Sequence, residues 1–546
     1  MKKINKIIMF LILCITFNLK ALAASPDLVV TGGELGTDYT YEDGVVSIIN
    51  SNSYEISMAE GIEESSDQIV INYSDTLKTI NLTLNNVNLK TDEISNIRIN
   101  YPPSVNPDDL KVNLILKGNN SLVATHHPYL NPRNIGELII SSDGGTLTTE
   151  ATAAATDGYN NLNSAKVTLE SGTVTMKNQI IMTTTGIYIK GGTLNISSQD
   201  ECLYTNGEMI ISGGNTTLTS DSACAINMVG SNISTANGGL QIIGDANLDI
   251  TTKGTGSASI FSGTRGGPEN ILIDTTGKIN INNKYIGILL NRNSNLTMNN
   301  GTLNINGSIF GIYPNGNSAD SIMTVNGGET EITASSAAIV LQNATQKSVV
   351  FGGEYFHKNY HGTEMASRAE VDDASLTNSN GRSNKYVLIT PAYTIDYDLG
   401  DGALEEGTEN PTKYTRVDTF TLNNPIPNDE TATFIGWSGT DLEDLTENVT
   451  ISENSTGNRS YKANYTKDSG DEDEEVEPDN REETADIVNP NTSFKYNPKI
   501  SNIAKKFGNI KTNNNNIAYI VVLTLSIISV ISISGILFLK KKKVHR

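Results

Sequence analysis

Ile187-Tyr-Ile-Lys-Gly-Gly-Thr-Leu-Asn-Ile196 is followed, one unit later, by Met209-Ile-Ile-Ser-Gly-Gly-Asn-Thr-Thr-Leu218, and these two stretches decide the fold. Each reads as a short strand, a glycine corner and a second short strand. Alternate residues are apolar (Ile187 and Ile189, then Leu194 and Ile196), so one side of each strand is fitted to an interior. The glycine pair between the strands supplies a turn that a Cβ would obstruct.

Working outward, the same unit recurs as Val167-Thr-Leu-Glu-Ser-Gly-Thr-Val-Thr-Met176, Leu296-Thr-Met-Asn-Asn-Gly-Thr-Leu-Asn-Ile305 and Met323-Thr-Val-Asn-Gly-Gly-Glu-Thr-Glu-Ile332. The recurrence runs from Leu138 to Phe356 at intervals of roughly 20 to 33 residues, the period range of solenoids. A third short strand follows each pair: Cys202-Leu-Tyr204, Ala225-Ile-Asn227, Gly287-Ile-Leu289, Gly311-Ile-Tyr313 and Ala338-Ile-Val340. Three strands per turn, repeated, describe a parallel β-helix; an antiparallel sandwich or barrel is the rival built from similar pieces. Cys202 and Cys224 are expected at equivalent positions of neighbouring coils, as a pair of thiols or a disulfide.

Composition agrees with stacked strands. Of 546 residues only 6% are aromatic and 37% apolar, which argues against a compact helical protein. The formal charge of −22 excludes nucleic acid as a partner, because such binding rests on lysine and arginine neutralising phosphates. A neutral glycan or a cationic partner fits better.

The ends read as an export and anchoring apparatus. Residues 1–23 combine basic Lys2, Lys3 and Lys6, an apolar stretch from Ile7 to Phe17 and Ala21-Leu-Ala23 before a cleavage point, the pattern of a signal peptide. Residues 517–539 are uncharged and long enough to span a bilayer as a transmembrane helix, and the tail 540–546 opens with four lysines, the positive-inside signal. The bulk is therefore expected on the extracellular face of a bacterial membrane, single-pass with a cytoplasmic C-terminus. Residues 468–516 form an acidic and polar linker. Asn489-Pro-Asn-Thr-Ser493 resembles the sortase motif family in its Pro-x-Thr core, but ends in serine and lies far from Ile517, so membrane anchoring is the preferred reading.

Two resemblances refine the picture. The order T-I-N-L-T-L-N-N-V-N-L (Thr79–Leu89), N-I-R-I (Asn96–Ile99), V-N-L-I-L-K-G-N-N-S-L (Val112–Leu122) and G-E-L-I-I-S-S-D-G-G-T-L (Gly136–Leu147) is similar to a family of exported bacterial right-handed parallel β-helix proteins described as carbohydrate-binding and related in fold to pectate lyases. The resemblance covers Val46 to Phe356. It implies carbohydrate binding and calcium as a cofactor, with Asp200, Glu201 and Asp221 as candidate metal ligands along one face. From Tyr393 the pattern changes: Tyr393–Gly402, Phe434-Ile-Gly-Trp-Ser-Gly-Thr440 and Ser455–Tyr465 closely resemble the internalin-type B repeat, a β-grasp-like surface module. Trp437, the only tryptophan, is read as its core rather than as a sugar-stacking face.

The expected architecture is all-β: a right-handed parallel β-helix over 24–390, a small β-grasp-like repeat module over 391–467, then the linker and a C-terminal transmembrane helix. The preferred function is adhesin-like attachment to polysaccharide or to host glycan or matrix. Tyr188, Tyr204, Tyr285 and Tyr313 are the candidate ligand-binding residues, since tyrosine rings pack against sugar faces. Alternatives are a polysaccharide lyase or hydrolase and a structural spacer. For a lyase, Arg265 is a candidate base; for a hydrolase, the acids at 200, 201 and 221 are candidates. His357 and His361 are four apart but lack an intervening glutamate and follow a strand, so they read as surface histidines rather than zinc ligands.

Overall fold

The computed structural model describes residues 26–467 except 51–52, 75–77, 101–108, 128, 132–135, 154–160, 230–238, 264–267, 316–320, 341–348 and 374–383. The signal sequence at 1–23, the sortase-like stretch, the linker at 468–516, the apolar segment 517–539 and the tail at 540–546 lie outside the described residues, as does Arg265. Among the described residues no helix is long and apolar enough to cross a membrane.

The described chain is nearly all β, and most of its strands belong to one large, mainly parallel sheet system. A glycine corner between two strands forces each coil to change direction, so a strand pairs with its counterpart one coil later. Ile187 of the strand Ile180–Ile189 lies opposite Val167 on one side and Met209 on the other. Following that register, Ile80, Val112, Leu138, Val167, Ile187, Met209, Leu240, Ile271, Leu296, Met323 and Val349 form a single inward column. None is more than 3% exposed. Partners in this column are 20 residues apart at Val167 and Ile187 but 32 apart at Ile80 and Val112, the difference being taken up in loops.

Each coil contributes to three strand stacks in fixed order. In one coil these are Glu208–Ile211, Asn215–Ser220 and Ile226–Met228, on what we call the first, second and third faces. They pair in parallel with Leu240–Gly244, Asn247–Thr252 and Ala258–Ser262 of the next coil. Some strands run through a corner: Ile271–Asn283 serves the first and second faces, and Leu296–Pro314 serves all three.

The corner between first and second faces needs glycine. Gly192 and Gly214 have φ of 78° and 74°, and a Cβ on Gly214 would lie 2.2 Å from the carbonyl oxygen of Gly192. Only glycine combines that left-handed backbone with so close an approach. At the following corner several coils place buried polar side chains that bond to one another or to loop carbonyls. Ser220 donates to the carbonyls of Asp200 and Ala223, and Thr252 bonds Ser259, which accepts from Asn283. These bonds hold the loop ends where backbone groups leave the ladders.

Both ends of the stack are closed by reversed strands, which removes edges that would otherwise template pairing. Leu28–Thr31 runs antiparallel to Ser53–Met58, and Tyr39–Glu42 antiparallel to Val45–Ile48. At the far end Tyr386–Pro391 runs antiparallel to Glu329–Ile339 and to His357–Gly362.

After Ala392 a second core begins. Tyr393–Asp398 pairs in parallel with Arg459–Lys467, which pairs antiparallel with Ala432–Gly439. These strands enclose Ile395, Tyr414, Leu422, Trp437, Val449, Ile451, Tyr461 and Ala463. Trp437 is fully buried, and its indole N–H donates to Asn424 at 3.0 Å. Its ring therefore presents no open face.

Candidate functional site

Outward positions, two apart along a strand, line up across coils in the same way as the inward ones. On the third face the middle residues Leu203, Ile226, Ile260, Ile288 and Ile312 point in and are buried. The residue after each points out, giving the column Met182, Tyr204, Asn227, Phe261, Leu289 and Tyr313. All are partly exposed except Asn227. The rings of Tyr204, Phe261 and Tyr313 thus recur at every second coil, roughly 9.6 Å apart for two strand spacings. Phe310 packs beside Tyr313 with ring centres 5.2 Å apart.

Two of the four tyrosines expected to bind ligand, Tyr204 and Tyr313, share this column; the other two lie elsewhere. Tyr188 is on the first face, half-buried, in a strip of alternating charge. Glu137 lies between Lys111 at 3.5 Å and Lys166 at 3.0 Å, and Tyr188 donates to Glu208 at 2.5 Å. Lys166 sits 4.7 Å above the Tyr188 ring. The ring folds over Gly186, where a Cβ would come within 2.8 Å of it. Burial lifts the Tyr188 phenol above its ordinary range, and the Glu208 carboxylate adds to the lift. For Glu137, burial pulls upward, but Lys166 and Lys111 hold the carboxyl below its usual range. This strip, with Lys78 and Asp109, borders a groove of about 630 Å³. Tyr188 points outward between the buried Ile187 and Ile189, and its hydroxyl and ring face are engaged by Glu208 and Lys166. Tyr285 lies half-buried at a corner, where its carbonyl accepts from the backbone N–H groups of Ile309 and Phe310.

The three acids expected to hold calcium are not gathered. Asp221 pairs with Lys253 of the next coil at 2.8 Å, and Glu201 accepts from Asn227 at 3.0 Å. Among the described residues no group of three or more His, Cys, Asp or Glu side chains is arranged to hold a metal ion. Glu201 is nevertheless unusual. Burial raises its carboxyl, the donation from Asn227 opposes that, and the negative charge of Asp200 raises it further. Through Asn227 it touches the aromatic column.

Two other expectations are corrected, the equivalent register of Cys202 with Cys224 and the surface placement of His357. Cys202 and Cys224 are buried free thiols, both pushed up by burial. They are one residue out of register, because Leu203 opposes Ile226 and the Cys202 N–H donates to Ala225. The second coil carries an extra residue ahead of its third strand. His357 is not a surface group: its ring is stacked between Phe351 and Tyr355, with centres 4.1 and 4.8 Å away. One ring nitrogen faces the Tyr355 carbonyl at 2.8 Å and the other Asp373 at 2.9 Å. His361 faces Asn384 at 2.7 Å.

No family model, curated protein or solved structure matches the chain. Met182, Asn227, Phe261 and Leu289 are the column members that were not among the candidate ligand-binding residues. The signal was present for three of them: Asn227 and Leu289 each close a third-strand triplet, as Tyr204 and Tyr313 do, and Ser259-Ile-Phe261 fits the same frame.

Proposed function

We propose that the chain is an exported, membrane-anchored surface protein that binds carbohydrate along the third face, with the first and last segments of the sequence serving export and anchoring. The stack is read as a right-handed parallel β-helix, the hand that parallel crossovers take almost without exception. The second core is read as a β-grasp-like B-repeat module that carries the stack away from the membrane.

The observation that carries the reading is the column Tyr204, Phe261 and Tyr313, three partly exposed rings in register on one face. Partly exposed rings at regular spacing suit the apolar faces of successive sugar rings. A glycan panel tests it: the chain retains one or more soluble oligosaccharides, and Phe261→Ala or Tyr204→Ala lowers retention at least tenfold. Retention unchanged by both substitutions refutes the site.

A second reading, hydrolysis, is favoured by one observation, the raised carboxyl of Glu201 beside the column. A carboxyl raised above its ordinary range is the direction in which a general acid is tuned. The same incubation decides it, since new reducing ends that vanish in Glu201→Gln mark an enzyme, whereas retention without products marks a binder.

A further inference from the structure

His357 opens the strand His357–Gly362, which runs antiparallel to Ala369–Val371 and to Tyr386–Pro391 at the far, closed end of the stack. Its Nδ1 lies 2.8 Å from the Tyr355 carbonyl, and its Nε2 lies 2.9 Å from Oδ1 of Asp373, two residues beyond Val371. A carbonyl oxygen can only accept. The Asp373 oxygen is an acceptor too, since the Asn359 amide N–H donates to it at 2.7 Å. Neutral imidazole carries one N–H and satisfies one of these oxygens, leaving a lone pair against the other; imidazolium satisfies both.

The walls of the site suit the same charge. The Phe351 and Tyr355 rings lie nearly parallel to the imidazole, at interplanar angles of 16° and 12°, and both centres fall within the roughly 6 Å over which an aromatic face attracts a cation. Both walls belong to the stack: Phe351 ends the strand Val349–Phe351, and the Tyr355 hydroxyl donates to the Gly328 carbonyl. Burial lifts the Tyr355 phenol far above its ordinary range and the Glu329 carboxylate adds to the lift, so this wall stays neutral. Lys358 points to the other side of the strand, where it pairs with Glu370 at 3.1 Å. Glu354 and Asp372 are exposed. His361, on the same side of the strand as His357, needs a proton on one nitrogen only, because its Nδ1 faces the Asn384 side-chain oxygen at 2.7 Å.

We propose that His357 is a proton-operated latch that fastens the hairpin of residues 357–371 to the last coil. When the ring gives up its second proton, the bond to Asp373 or the bond to Tyr355 is lost and the hairpin loosens. The hairpin is also a strap across the second core: the Tyr360 hydroxyl bonds the Thr415 hydroxyl at 3.1 Å, and Arg368 donates to the Val417 carbonyl at 3.4 Å. The ion pairs of Arg416 with Glu329 and Glu331 do not involve the hairpin, so the second core stays attached while the strap opens. Both bonds of the latch coexist only in the doubly protonated ring. The strap therefore holds best in acid and loosens as pH rises through the window, about 5 to 8, in which imidazole changes charge.

The test follows amide exchange of the full chain in detergent across about pH 5 to 8, each rate divided by that of an unstructured amide at the same pH so that the intrinsic chemistry of exchange drops out. Protection over His357–Gly362 and Ala369–Val371 falls roughly tenfold from the acid to the alkaline end, while protection over Thr193–Ser198 stays level. His357→Gln abolishes the fall and His361→Gln retains it. Asp373→Asn keeps the imidazole and its stacking but removes the charge opposite, so the fall shrinks while the hairpin remains folded, which separates loss of the latch from misfolding. Histidine-selective 15N spectra, in which the signals missing from His357→Gln identify the ring, show two protonated nitrogens at the acid end and one at the other. Hairpin protection that is level across the range, that rises with pH, or that falls as steeply in His357→Gln overturns the inference. A His357 ring that holds a single proton throughout overturns it as well.

Discussion

Replacing Gly214 by alanine tests whether the stack depends on its glycine corners. The new methyl meets two costs. Its backbone sits at φ 74°, where alanine is disfavoured by roughly 1–2 kcal/mol. The methyl also lies 2.2 Å from the Gly192 carbonyl oxygen and 2.8 Å from the Gly191 carbonyl carbon. Those atoms are backbone already committed to the ladder, so the two coils must separate locally, an overpacking that costs roughly 1–3 kcal/mol. The sum is about 2–5 kcal/mol. Because a stack of coils does not unfold as one two-state unit, the readout is amide exchange in the adjoining strands Thr193–Ser198 and Asn215–Ser220. Protection there falls by roughly 30- to 3,000-fold at 1.4 kcal/mol per decade, and coils at the far end are unaffected. Gly256→Ala is the control: nothing lies within 4 Å of its added Cβ, so protection stays the same or rises by about 0.4–1 kcal/mol. Equal effects at Gly214 and Gly256 would refute the corner argument.

At the junction of the two cores, Arg416 donates to Glu329 at 2.6 Å and to Glu331 at 2.8 Å, while Tyr386 and Thr390 complete the shell. Arg416→Met strands two carboxylates at a cost of roughly 2–3 kcal/mol, less than a fully buried pair because the site keeps some solvent; limited proteolysis then cuts between the cores, and adding Glu329→Gln with Glu331→Gln restores resistance. Trp437→Ala costs roughly 3–5 kcal/mol in the module's core, seen as faster amide exchange over Tyr393–Asp398 and Arg459–Lys467, with glycan retention unchanged; lost retention would instead make the indole part of a binding face. Burial raises Glu201, so folding favours its protonated form. That contribution is complete below the unfolded carboxyl range of about 4.3 and is lost as pH rises through the raised folded value. Glu201→Gln, neutral throughout, therefore matches the wild type in acid and melts higher at neutral pH; a variant that melts lower at neutral pH contradicts this.

The strands were legible because a period of two survives in the sequence: Ile187, Ile189, Leu194 and Ile196 mark the interior without help from neighbours, and each is buried. Trp437 was legible for a related reason, sitting within a dense apolar alternation. Register between coils was harder. It depends on residue counts in loops, and one added residue ahead of Ile226 is enough to move Cys224 opposite Glu201 instead of Cys202. The same uncertainty hid which outward residues share a column, so Tyr188 and Tyr204 looked equivalent although they stand on different faces. His357 was misread because its enclosure comes from Phe351, at the end of the preceding strand, and from Tyr355 in the connection that follows it, not from its own strand.

The loops and the columns follow from opposite demands. Coil length ranges from 20 to 32 residues within the inward column, yet the ladders stay in parallel register across it. Backbone hydrogen bonds and a shared apolar interior fix the strand positions, since a slip of one residue would turn every inward side chain outward. Loops carry no such constraint and absorb the insertions. An outward residue therefore keeps its neighbours above and below whatever the loop between them does. Chemistry can be sorted by face: rings on the third, paired charges at one edge of the first, mostly hydroxyls and amides on the second. A molecule selected only for length has no reason to keep such sorting. Exchanging Phe261 with Thr217, ring for hydroxyl, leaves burial of the core untouched and so separates the two demands. Stability that stays within about 1 kcal/mol, with glycan retention lost, is the outcome this division requires; retained binding would show that the faces are interchangeable.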